Sequence, residues 1–214
     1  LSLTSIITQA VASDSERLRE ARFAPQLNSS SAPLQLKNQT VLEYLWLDVY
    51  AAAFYSEPDV SPRQALQEQA SQRLELFYFQ NINRDDVIKA AWITLERQQS
   101  AATLATLKPE LDRLHASFRD IAPGDRYALV FSKDQGLQLE RNGQTVFSSP
   151  DKQLAQAYMG IWLAPEGLSE ELRMALLAER WLLNVESVAP QPASHAVERY
   201  LGWKPQRHPV QSPI

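Results

Sequence analysis

Tyr127-Ala-Leu-Val-Phe131, Leu137-Gln-Leu-Glu-Arg141 and Thr145-Val146-Phe147 decide the fold. They read at a period of two, the spacing that sends successive side chains to opposite faces of a strand. Asp134-Gln135-Gly136 and Asn142-Gly143 separate them, and Asn-Gly suits the two positive-φ positions of a tight hairpin turn. The segment therefore reads as three consecutive antiparallel strands. Pro123-Gly124 sets it off from a helical stretch, Thr103 to Phe118, in which Leu104, Leu107, Leu111, Leu114 and Phe118 keep the 3.6-residue period. Pro109 is expected to start a turn or bend that helix.

Further upstream, Asn83 reads as the cap of a helix carrying Val87, Ile88, Ala91, Trp92 and Leu95. Arg73 to Gln80 alternates, with Leu74, Leu76 and Tyr78 opposing Arg73, Glu75, Phe77 and Phe79. Ser61-Pro62 opens a short helix through about Gln72. Leu34 to Tyr55 reads as strand. Within it the alternation puts Val41, Leu45, Leu47 and Val49 on one face and Leu42, Tyr44, Trp46, Asp48 and Tyr50 on the other, as in a central strand. Downstream, Asp151 to Trp162 and the segment from Ser169 through Leu172, Leu176 and Trp181 read as two closing helices. Strands grouped with strands and helices with helices predict an α+β fold, mostly antiparallel sheet with helices packed on one face.

The 214 residues divide into an N-terminal helix and polar linker (1–33), a main domain (34–185) and a proline-rich tail (186–214). A formal charge of −4 and the lack of any basic block argue against nucleic acid as a partner. With no cysteine, disulfides and thiolate chemistry are excluded. Six scattered glycines form no phosphate cradle, and no run of about 20 apolar residues predicts a membrane span. The sequence opens on Leu1, and Ile6 to Ala12 is similar to the end of a secretory signal with an Ala-x-Ala site. A periplasmic or secreted protein, its leader removed before Leu1, is expected on that resemblance, with a cytoplasmic one as the alternative; for the stretch itself, the spacing of Leu3, Ile6, Ile7, Ala10, Val11 and Leu18 favours an amphipathic helix.

Four strings in order, Leu47-Asp-Val-Tyr-Ala-Ala-Ala-Phe-Tyr55, Pro123-Gly-Asp-Arg-Tyr127, Gly136-Leu137 with Asn142-Gly143, and Ile161-Trp-Leu-Ala-Pro165 leading to Ser169, make the chain resemble bacterial chalcone isomerase-like proteins. The resemblance implies a cleft between sheet and helices that holds a flavonoid precursor in plant enzymes or a fatty acid in non-catalytic relatives. Carried over position by position, the enzyme's arginine falls near Leu42, its threonine at Leu45, its tyrosine and asparagine at Asn83 and Ala90, and its late hydroxyl near Ile161. Chalcone cyclisation needs donors aimed at a developing oxyanion, and leucine, alanine and isoleucine offer none. Relatives also tend to carry glycines before the long strand, where this chain has Lys37-Asn38-Gln39-Thr40, and a divergent turn is expected at Asn38.

His115, His195 and His208 have no metal-ligand spacing, and His115, beside Arg113 on the polar side of its helix, reads as solvated. No metal or other cofactor is expected. Leu42, Tyr44, Trp46, Asp48 and Tyr50 form the candidate ligand-binding face, with Arg84 as a substitute anion anchor. Asp48 needs a partner if buried. The expected function is non-catalytic binding of a hydrophobic or amphipathic small molecule such as a fatty acid. The alternatives are an adaptor whose cleft is filled by its own side chains, and an enzyme using Asp48 or a tyrosine as acid or base.

Overall fold

A computed structural model describes residues 13–28, 32–45 and 47–179. Seven strands follow one another in chain order across one antiparallel sheet. They are β1 (Gln26–Asn28), β2 (Pro33–Tyr44), β3 (Leu47–Ser56), β4 (Gln72–Tyr78), β5 (Arg126–Ser132), β6 (Gly136–Arg141) and β7 (Gln144–Ser149). The helices are α1 (Asp14–Ala21), α2 (Pro62–Gln67), α3 (Arg84–Gln98), α4 (Ala101–Ser117), α5 (Lys152–Leu163) and α6 (Glu170–Leu176). Trp181, the N-terminal residues read as amphipathic and the proline-rich tail lie outside the described residues.

The expected α+β architecture holds, with one addition. The main core joins one face of the sheet to α2 through α6, using Phe54, Leu74, Leu76, Leu129 and Leu139 from the strands and Leu95, Leu111, Leu114, Leu154 and Ile161 from the helices. A smaller cluster covers the other face, where Ala21 and Phe23 pack on Ala51, Ala53, Tyr55 and Phe79. Arg126 lies over Phe77 and Phe23 there, at 5.0 and 5.4 Å from the ring centroids, and pairs with buried Glu75, which Arg73 Nε also reaches at 2.8 Å. The charged side of β4 is thereby neutralised beneath the segment that carries α1.

Three sequence readings are corrected. Leu34 to Tyr55 is not one strand but a hairpin, β2 and β3, turning at Leu45, whose φ is +48°. No glycine, asparagine or proline marks this turn, so the alternation ran through it unbroken. Asn38 sits in β2 with no left-handed backbone; its side chain instead donates to the carbonyls of Leu176 and Ala178 at 2.9 and 2.8 Å, tying the end of α6 to the sheet. A register shift between Leu36 and Asn38 accommodates it. Helix α4 runs through Pro109, which is exposed, so the carbonyl left without its helical donor can face water.

Candidate functional site

The second register shift in the β2–β3 hairpin shapes the site. Leu42 pairs with Tyr50, but the next pair is Glu43 with Asp48, which leaves Val49 as an extra residue in β3. A bulge of this kind breaks the alternation. Val49 and Tyr50 consequently both face the main core, while Asp48 turns to the opposite face. There its carboxylate accepts a hydrogen bond from Arg17 Nε at 2.7 Å, and Arg17 lies over the Phe79 ring at 4.6 Å.

Between the sheet and the helices lies a cavity of about 70 Å³. Leu42, Val49, Tyr50 and Tyr78 form its sheet wall. Val87, Ala90 and Ala91, one turn apart on α3, form a second wall, and Tyr158, Ile161 and Trp162 repeat the same spacing on α5. Ile82 and Leu168 close the ends, and Asp86, in the first turn of α3, is the one charged residue of the lining. A smaller pocket of about 20 Å³ continues inward past Tyr78, Val87, Tyr158 and Trp162. A larger hollow, about 140 Å³, lies between α2 and α5, but it is edged by Gln69, Gln72, Gln156 and Lys152 and contains none of the candidate residues.

Hydrocarbon dominates the lining, and its polar residues are three tyrosines, Trp162 and Asp86. Tyr50 Oη accepts from Trp162 Nε1 at 3.2 Å, and the Tyr50 and Tyr78 rings meet edge to face at 5.4 Å. Tyr158 Oη is buried and has no hydrogen-bond partner. Burial pushes the Tyr50, Tyr78 and Tyr158 hydroxyls well above the usual phenol range, so each stays a neutral donor. Behind Tyr158 sits His115, its ring 5.7 Å from that of Tyr158 and 5.5 Å from that of Trp92. This corrects the expectation of a solvated histidine: His115 is 4% exposed, its Nε2 has no partner, and burial pushes its pKa down to about 4.

Of the candidate ligand-binding residues, Leu42 and Tyr50 line the cavity. Tyr44 is buried in the same core beyond its edge, and Trp46 lies outside the described residues. Asp48 is on the other face of the sheet. Arg84 is held at the start of α3, its guanidinium donating to the His115 carbonyl at 3.0 Å and to Asp85 at 3.2 Å, so it is a clasp between α3 and α4 rather than part of the lining. Three of the positions where the resemblance places catalytic groups, Leu42, Ala90 and Ile161, do line the cavity. Asn83 caps α3 and Leu45 is in the hairpin turn. The sequence reading missed Tyr78 and Tyr158 as site residues; the Tyr158-Ile161-Trp162 spacing was visible but indistinguishable from core.

The chalcone isomerase-like family profile matches residues 15–178. Among solved structures, a fatty-acid binding protein of Arabidopsis thaliana is similar in fold, with a TM-score of 0.50 at 14% sequence identity, over 72% of this chain and 90% of that one. No curated protein matches the sequence.

Proposed function

The chain belongs to the chalcone isomerase-like family, and from that premise we propose that it binds a hydrophobic or amphipathic small molecule, a fatty acid or lipid-derived compound, in the cavity between the sheet and α3 and α5, without chemical turnover. The observation that carries this reading is the lining itself: mostly apolar side chains from β2, β3, β4, α3 and α5 enclose one space, and Tyr158 among them carries a hydroxyl without a hydrogen-bond partner. Each methylene group buried there would contribute roughly 0.8 kcal/mol, set against the costs of association. The fatty-acid binding function named for the Arabidopsis structure is in keeping with this but, at 14% identity, adds little weight of its own. Two features support binding without turnover: burial holds the Tyr50 and Tyr158 hydroxyls far above any pKa useful for proton transfer near neutrality, and Leu42, Ala90 and Ile161 present hydrocarbon.

A second reading, an adaptor whose cleft is filled by its own side chains, is favoured by the cavity's size. About 70 Å³ is well below the 300–1,000 Å³ of typical ligand pockets, so binding requires the cavity to widen. Calorimetric titration with octanol separates the two. The binding reading expects saturable one-site binding to the unmodified protein and its loss in Ala90→Leu, a variant that still melts cooperatively. No binding to the unmodified protein, together with a lowered melting temperature in Ala90→Leu from overpacking, supports the filled cleft and overturns the proposal.

A further inference from the structure

We propose that the cavity selects an uncharged amphiphile, held through a neutral oxygen that accepts a hydrogen bond from Tyr158, over a fatty-acid anion. The inference rests on the binding reading above and narrows its ligand class. Among the described residues, no arginine, lysine or histidine is part of the lining, and its one charged side chain is the carboxylate of Asp86. A ligand carboxylate entering this space would be stripped of water without a cation to meet it, which costs several kcal/mol, and would meet a like charge at the start of α3. The positive end of the α3 dipole offers little relief, because Asp85 and Asp86 already occupy its first turn. Arg84, the nearest cation in sequence to that turn, is committed to Asp85 and the His115 carbonyl.

Tyr158 supplies the opposite preference. Its hydroxyl is fully buried and donates to nothing, and the residue lines both the cavity and the inner pocket. A phenol in that state is an unmet donor, and an alcohol, ketone or ester oxygen satisfies it without bringing charge into the core. Tyr50 Oη already accepts from Trp162 Nε1, whereas Tyr158 Oη is buried with no partner in either role.

The test is a comparison of octanol, methyl octanoate and octanoate by calorimetric titration at neutral pH, on the unmodified protein and on Tyr158→Phe and Asp86→Asn. The expected result is binding of octanol and methyl octanoate at least tenfold tighter than octanoate. Asp86→Asn should narrow that gap. Tyr158→Phe should weaken octanol several-fold while leaving the melting temperature unchanged or raised, because it removes a hydroxyl that bonds to nothing; a lowered melting temperature would mean that Tyr158 acts in packing. Octanoate binding as tightly as octanol, or more so, overturns the selectivity and leaves the binding function standing. If none of the three binds, both fall.

Discussion

Arg17 Nε donates to Asp48 Oδ2 at 2.7 Å, and this contact joins α1 to the bulged end of β3. The Asp48 side chain is 4% exposed and that of Arg17 26%, so removing one partner strands a charge in a largely dry setting. Asp48→Asn is expected to lower unfolding stability by about 2 kcal/mol in chemical denaturation. Because Asp48 faces away from the cavity, octanol affinity should stay unchanged. Lost affinity with intact stability would restore Asp48 to the site.

His115 should make the protein acid-sensitive. Its folded pKa, about 4, is depressed below the ordinary histidine value of 6.5, first by burial and then by Arg84 and Lys108, with Asp112 opposing. The unfolded chain therefore takes up a proton that the folded one refuses. The neutral ring's contribution is fully present above pH 6.5 and is lost as pH falls toward 4. The loss amounts to roughly 3 kcal/mol at most. Denaturation midpoints measured across this window should fall with pH, and His115→Leu should flatten that part of the profile. An equal slope in the variant would show that other groups cause it.

Leu45 holds the hairpin turn at φ +48° with its side chain 48% exposed. A left-handed backbone costs an L-residue with a bulky side chain roughly 1–2 kcal/mol, and asparagine tolerates it better. Leu45→Asn should therefore raise stability by about 1 kcal/mol, read as a higher denaturation midpoint. A lower midpoint would mean that the leucine side chain contributes packing that outweighs the strain.

Gly136 opens β6 at φ +72°, and a Cβ there would fall 2.2 Å from the Ser149 carbonyl oxygen. Gly136→Ala must shift either the turn or the β7 backbone and should cost at least 3 kcal/mol or prevent folding. A near-neutral variant, judged by melting temperature, would contradict this close approach of β6 and β7.

Much of the architecture was legible because its signals are local. Asn142-Gly143 specified the β6–β7 turn, and the alternation from Arg73 set Leu74, Leu76 and Tyr78 opposite Phe77 and Phe79, groups that the fold places in the main core and in the smaller cluster. The hairpin at Leu45 was not legible, since a leucine in a left-handed turn leaves no compositional trace. That omission propagated to the site. With the Val49 bulge unseen, Asp48 was placed on the same face as Tyr50, whereas the extra residue sends the two to opposite sides. His115 was misread for a related reason: the aromatic box of Trp92 and Tyr158 comes from α3 and α5, and nothing near residue 115 announces it. The candidate face was thus half recovered by sequence, through Leu42 and Tyr50 on the sheet, while the helix side of the cavity required the fold.

The most direct test of ligand binding is mass spectrometry of the purified protein under native and then denaturing conditions, with identification of any compound released. A near-stoichiometric, uncharged amphiphile leaving on denaturation, or taken up when the apo protein is incubated with octanol, is the predicted result. An apo mass that persists after incubation with both octanol and octanoate would contradict a ligand-binding role and leave the filled-cleft adaptor as the reading.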